Sequence, residues 1–240
     1  MKKRICAILC AALCAGVLAG CGSTVDADTD MVFVDKKGGV TSVDVETLDK
    51  EYYDEEELKS YVDDAVAEYN DQNGRNSVKV LDLSVEDGTA KLKMEYKTAE
   101  DYSSFNGIEL YQGKVVSALA AGYDFAVDFV SVEDGAVSGT ASREEIYADD
   151  DLQAVIIRAN TDVTVDGDIC FVSSENVRLT GTDSVSIREG YSLGAETAGG
   201  NESVTETATE EAAVSEAAEV QDVSDDGSFE TDVYTYIIYK

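Results

Sequence analysis

The chain has 240 residues, with 18 Lys and Arg against 50 Asp and Glu, a formal net charge of −32, and no His, Pro or Trp. Without His there is no Ser-His-Asp triad, no Cys-His pair and no imidazole metal ligand. Without clustered basic residues there is no footprint for nucleic acid. The 44% hydrophobic content suits a chain with an ordinary core.

Lys2, Lys3 and Arg4 form a positive start, followed by an apolar run from Ile5 to Leu18. That run is too short and wrongly flanked for a membrane-spanning helix and reads as a signal peptide. It ends in Leu18-Ala19-Gly20-Cys21. This tetrapeptide resembles the lipobox of bacterial lipoproteins. The resemblance implies a diacylglyceryl thioether on Cys21, cleavage before it, and a freed amino group open to a further, palmitate-like chain. Two acyl chains anchor stably where one binds only marginally. Residues 1–20 are therefore expected to be a signal peptide and 21–30 a tether. The expected location is the extracytoplasmic face of a Gram-positive cell membrane, with the membrane as partner through the lipid on Cys21. Of five cysteines, Cys170 alone remains in the expected body, so no disulfide is expected there. Its apolar setting, Ile169-Cys170-Phe171-Val172, reads as a buried, inert thiol.

The body is expected over 31–194, opening on the strand Met31-Val32-Phe33-Val34. From Asp54, the positions Leu58, Tyr61, Val62, Ala65, Val66 and Tyr69 recur at helical spacing, predicting one long amphipathic helix that stops at Asn73-Gly74. Val78–Val85 and Ala90–Tyr96 then alternate around Asp87-Gly88, a strong hairpin signal. The phrase Ser84-Val85-Glu86-Asp87-Gly88 recurs as Ser131-Val132-Glu133-Asp134-Gly135 without matching flanks, which reads as a repeated turn solution rather than a duplication. Between the two phrases, a polar-aromatic stretch, Asp101–Gly107, reads as a loop, and Lys114 to Ala121 as a short helix ending at Gly122. Segments 154–158, 162–165, 168–172, 177–180 and 185–188 read as short strands of a meander or small barrel-like sheet.

Residues 195–230 change character. From 195 to 228 there are ten acids and no Lys, Arg or aromatic residue, a composition that reads as a disordered acidic excursion. At 231–240 the pattern reverses: Val233-Tyr234-Thr235-Tyr236-Ile237-Ile238-Tyr239 is apolar on both faces and predicts a returning C-terminal strand, buried on both sides, that completes the sheet. The fold expected is thus α+β, mainly antiparallel, with one long helix. The stretch at 101–107, the β-rich later half and Tyr236-Ile237-Ile238-Tyr239 together resemble uncharacterised lipoproteins of Gram-positive gut bacteria. That resemblance implies no activity.

Candidate chemistry is sparse. Asp222, Ser224, Asp226, Gly227, Ser228 and Glu230 match positions 1, 3, 5, 6, 7 and 9 of an EF-hand loop. Position 12, which should be a bidentate Glu, is Val233. Asp222, Ser224, Asp226 and Glu230 are therefore kept as an alternative, divalent-cation reading. Tyr102, Phe105 and Asn106 are candidates for lining a binding groove. Glu144, Glu145 and Asp149-Asp150-Asp151 supply carboxylates for a hydrolase, the other alternative, but no spacing singles out a pair. The expected role is a non-catalytic, lipid-anchored cell-surface binding module with a protein or glycan ligand, no catalytic residue, no cofactor and no nucleic-acid partner.

Overall fold

The computed structural model describes residues 27–48, 55–194 and 233–240. The expected signal peptide, Cys21 and the acidic stretch 195–230 lie outside those residues. Among the described residues the chain forms thirteen strands and four helices.

The first half runs β1 (Met31–Val34), β2 (Val40–Thr47), α1 (Glu55–Asn73), β3 (Val78–Glu86), β4 (Thr89–Tyr96), α2 (Ala99–Asn106), β5 (Leu110–Lys114) and α3 (Val115–Ala121). The second runs β6 (Phe129–Glu133), β7 (Ala136–Ala141), α4 (Arg143–Tyr147), β8 (Gln153–Ile157), β9 (Asp162–Val165), β10 (Ile169–Ser173), β11 (Glu175–Leu179), β12 (Ser184–Ser192) and β13 (Thr235–Tyr239). These strands make two sheets, ordered β11-β12-β9-β1-β2-β4-β3 and β5-β8-β13-β10-β6-β7. All pairings are antiparallel except β1 with β9.

The sheets stack through one core. Val32, Val34, Val40, Met94 and Tyr96 of the first meet Val130, Val155, Ile157, Val172, Ile237 and Tyr239 of the second. A separate core lies on the other face of the second sheet. There Val115 and Ala118 of α3 and Ile146 of α4 cover Phe129, Ala154, Ile156, Tyr236 and Ile238. β13 belongs to both. It pairs with β8 on one edge and β10 on the other, sends Ile237 and Tyr239 between the sheets, and sends Tyr236 and Ile238 under the helices. Its end is clamped by the exchange of backbone hydrogen bonds between Lys240 and Asp168, 3.0 and 3.1 Å. Gly167 makes this possible, because a Cβ there would sit 2.5 Å from the Lys240 carbonyl oxygen.

The repeated Ser-Val-Glu-Asp-Gly phrase makes the same device twice, in different sheets. Asp87 and Gly88 take φ of 51° and 77°, and Asp134 and Gly135 take 51° and 75°. These are the two successive positive values that a twisted two-residue hairpin requires.

Three expectations need correction. The helical content is not one long amphipathic helix. There are four helices among the described residues, and the stripe of α1 does not bury as a unit: Val62 is buried at 8% exposure, while Tyr61 is 74% exposed. Spacing says which side chains share a face, not how much of that face a neighbour covers. Next, Asp101–Gly107 is not a loop but most of α2. Thr98 Oγ1 accepts from the Asp101 N–H at 3.0 Å, and Gly107 closes the helix at φ 73°, two ordinary end signals. Finally, the later strands are no meander. β8 and β10 enter one sheet and β9, β11 and β12 the other. Short two-faced strands carry no mark of which layer they join.

Candidate functional site

An opening toward the core lies where the sheets stop covering each other. Beyond β5, the inner face of the first sheet is covered by α1 and α2 instead. Val66 and Tyr69 of α1 and Tyr102 and Phe105 of α2 pack on the core shared by Val78, Met94 and Tyr96. The two helices are joined by a Tyr69 hydroxyl donating to Asp101 Oδ1 at 3.2 Å and by an edge-on contact of Tyr69 with Phe105, centroids 5.5 Å apart. α1 is tied to β3 by the Asn70 side chain, which donates to the Val78 carbonyl at 2.8 Å and accepts from its N–H at 3.0 Å. Both helices are thus fixed, and they leave a cleft of about 500 Å³ between them.

One wall is α1: Tyr61, Val62, Ala65, Glu68, Tyr69 and Gln72. Opposite stand Ser104, Phe105 and Asn106 of α2, with Leu92 and Met94 of β4 and Asp44 of β2 beneath. The aromatic end is stiff, since Tyr96 packs edge-on against Tyr102 at 5.1 Å and tilted against Phe105 at 6.0 Å. The Tyr96 hydroxyl donates to Asn106 Oδ1 at 3.3 Å.

Asp44 is the odd residue of the lining. Alternation along β2 puts Val40, Ser42 and Asp44 on one side of the strand, opposite Tyr96, Met94 and Leu92 of β4. A carboxyl therefore occupies a position that continues the core face. It accepts from Ser42 Oγ at 2.9 Å, and no basic side chain is among the groups that set its charge. Asp44 is exposed, the first residue of that row to leave the core, and its carboxyl opens to solvent at the cleft mouth while neighbouring protein atoms crowd its other side. That loss of hydration, first, and the nearby Asp30 and Glu46 carboxylates raise its pKa to about 6 despite the Ser42 hydrogen bond. Asp30 is held close because its Oδ1 accepts from the Val45 N–H at 2.8 Å. Burial also raises the Tyr96 hydroxyl to about 12 and drives Tyr102 further up, with Asp44 adding to both.

Of the groove candidates, Phe105 and Asn106 line this cleft, while Tyr102, 4% exposed, stands behind it. Cys21, Asp222, Ser224, Asp226 and Glu230 lie outside the described residues. The hydrolase candidates do other work. Glu145 closes the end of α4, accepting from the Ser142 N–H at 2.7 Å, and those hydrogen bonds lower its pKa. Asp149 pairs with Lys240 at 2.8 Å, which lowers Asp149 and raises Lys240. Cys170 is half-buried rather than sealed, and burial pushes its thiol up, so little thiolate forms. Among the described residues no three His, Cys, Asp or Glu side chains are placed to hold a metal ion, and no helix is long and apolar enough to cross a membrane.

Sequence reasoning did not find Asp44, Leu92 or Met94 as lining residues. A signal was present for Asp44: the alternation Val40-Thr41-Ser42-Val43-Asp44 places an acid in phase with Val40. The protein-family models, the curated proteins and the solved structures offer no match to this chain.

Proposed function

We propose that this protein is a lipid-anchored binding module of the bacterial cell surface, which captures a small, largely apolar ligand in the α1–α2 cleft and releases it unchanged. The observation that carries the reading is the cleft itself: a fixed concavity of about 500 Å³, walled by aromatic and aliphatic side chains, with a few polar groups at its floor and rim. That is the ordinary make-up of a small-molecule site. The lipobox-like Leu18-Ala19-Gly20-Cys21 supports the anchoring half of the proposal. Cys21→Ala moves the chain out of the detergent phase in phase partitioning, because Cys21 alone follows the lipobox-like Leu18-Ala19-Gly20.

The binding half is tested on the full chain carrying Cys21→Ala, which removes the lipid and hence micelles from the assay. Phenylbutanol is the probe, and saturation-transfer NMR the readout. The probe binds saturably, and Ala65→Trp, which fills the cleft from the α1 wall, abolishes binding while the melting temperature stays within a few degrees. Equal binding to the Trp variant places the ligand elsewhere. A catalytic reading would have Asp44 and Glu68 act as an acid–base pair on a bound ester or glycoside. Turnover lost in Asp44→Asn would favour it over simple capture.

A further inference from the structure

Resting on the cleft as the binding site, we infer that its ligand is an organic cation, an ammonium group carried on an apolar body, with Asp44 as the counter-ion and the rings of Tyr61, Tyr69 and Phe105 as the seat. The argument is one of complementarity. None of the twelve lining residues is Lys or Arg, and two, Asp44 and Glu68, are carboxylates. Asp30 and Glu46 add negative charge at Asp44. The field in the cleft is therefore negative and the walls are of low dielectric, an arrangement that concentrates cations and repels anions.

Asp44 stands exposed at the cleft mouth, and among the described residues no basic side chain pairs with it. Among the described residues its hydrogen bond comes from the neutral Ser42 hydroxyl, which leaves acceptor capacity open to the cleft. An ammonium placed there restores by charge-assisted hydrogen bonding what the carboxylate lost in hydration. The aromatic rings suit the same guest. Tyr69 and Phe105 both line the cleft and brace each other edge-on, and aromatic rings attract cations. Tyr61, 74% exposed at the rim, is free to close over the bound group. The apolar body of the guest meets Val62, Ala65, Leu92 and Met94.

A matched series decides this: phenylbutylamine, phenylbutanol and phenylbutyrate are titrated at neutral pH into the same lipid-free full chain. The amine binds about tenfold more tightly than the alcohol, and the carboxylate binds more weakly than either. Asp44→Asn, shown to be folded by an unchanged far-ultraviolet circular dichroism spectrum, removes the amine's advantage and leaves the alcohol's affinity as it was. Equal affinity for amine and alcohol, or an amine preference that survives Asp44→Asn, overturns the cation assignment and leaves the cleft standing as a binding site. Failure of all three probes overturns the assignment and the cleft together.

Discussion

All five residues of β13 are buried, whereas of the nineteen residues of α1 only Val62 is. β13 is apolar or aromatic at four of its five positions, whereas α1 is so at seven of nineteen, mostly along one stripe of an acidic helix, and the surroundings of the two differ as well. β13 has a hydrogen-bonded neighbour on either edge, a sheet over one face and helices over the other. α1 has β3 on one side and α2 on another, and the rest of its stripe looks into open space. One segment is used to seal the body. The other is propped against it, and the gap so created is the cleft.

The largest expected effect comes from removing the sealed element. A chain ending before Val233 loses all of β13. Each large buried apolar side chain contributes about 1.5–3 kcal/mol, so losing Tyr236, Ile237, Ile238 and Tyr239 is comparable with a typical domain's whole stability of about 5–15 kcal/mol. The product should show no cooperative unfolding by circular dichroism and should aggregate through the bared edges of β8 and β10. A folded product would mean that β8 and β10 can close on each other. In the intact protein, Tyr236 to Ile238 should be among the slowest amides in hydrogen exchange, and the amides of α1 markedly faster.

The helix can be dissected in the same terms. Val62→Asp buries an unpaired carboxyl and should cost about 2–4 kcal/mol. Tyr61→Asp, one residue away but exposed, should stay within about 0.5 kcal/mol. Denaturant titration of the two variants reads out the contrast directly, and equal costs would mean that the whole stripe is closed over in solution. Between these lies Gly167→Ala. Its methyl group would press on the backbone of Lys240, and an overpacking cost of about 1–3 kcal/mol is expected, seen as a fall in melting temperature.

A small effect with a definite sign concerns Asp44. Its folded pKa of about 6 stands above the ordinary 3.8, so the folded protein favours the protonated form. The stability that proton confers is full below about pH 3.8 and is lost as pH rises through about 6. Asp44→Asn keeps the neutral state at all pH values. The variant should therefore exceed the parent in stability above pH 6 and match it near pH 4. Solvent access at the cleft mouth screens the group and holds the gain to about 1 kcal/mol, or about 2–4 °C in melting temperature. The charged groups that act on Asp44 are Asp30 and Glu46, with Glu68 across the cleft on α1 and the neutral phenols of Tyr96 and Tyr102 behind it. A gain that persists at pH 4 would point to packing rather than charge.

How much of this could be read beforehand differs by element. The Asp-Gly hairpins, the short helix ending at Gly122 and the apolar character of Thr235–Tyr239 depend on neighbours within a few residues, and local chemistry sets them. α2 reads as a loop from its aromatic and polar side chains, although Thr98 and Gly107 mark its ends as those of a helix. The cleft was legible only in fragments. Phe105 and Asn106 come from one segment, but Asp44, Leu92, Met94 and Tyr61 lie on three others, and nothing in their spacing brings them together.

The amino-acid sequence by itself determined the turns, the helix stops and which strands are apolar on both faces. It also carries the excess of acid and the lipobox-like start. Turn geometry, end capping and side-chain period act over a few bonds and hold whatever the rest of the chain does. Only the tertiary structure decided that consecutive short strands divide between two sheets, that the last strand enters the middle of one, and that α1 stops short of covering its neighbours. Those outcomes depend on which of many apolar surfaces meet, and burial is non-directional. The same unpatterned force that packs β13 leaves Asp44 exposed at the end of a core row, with no cation beside it among the described residues.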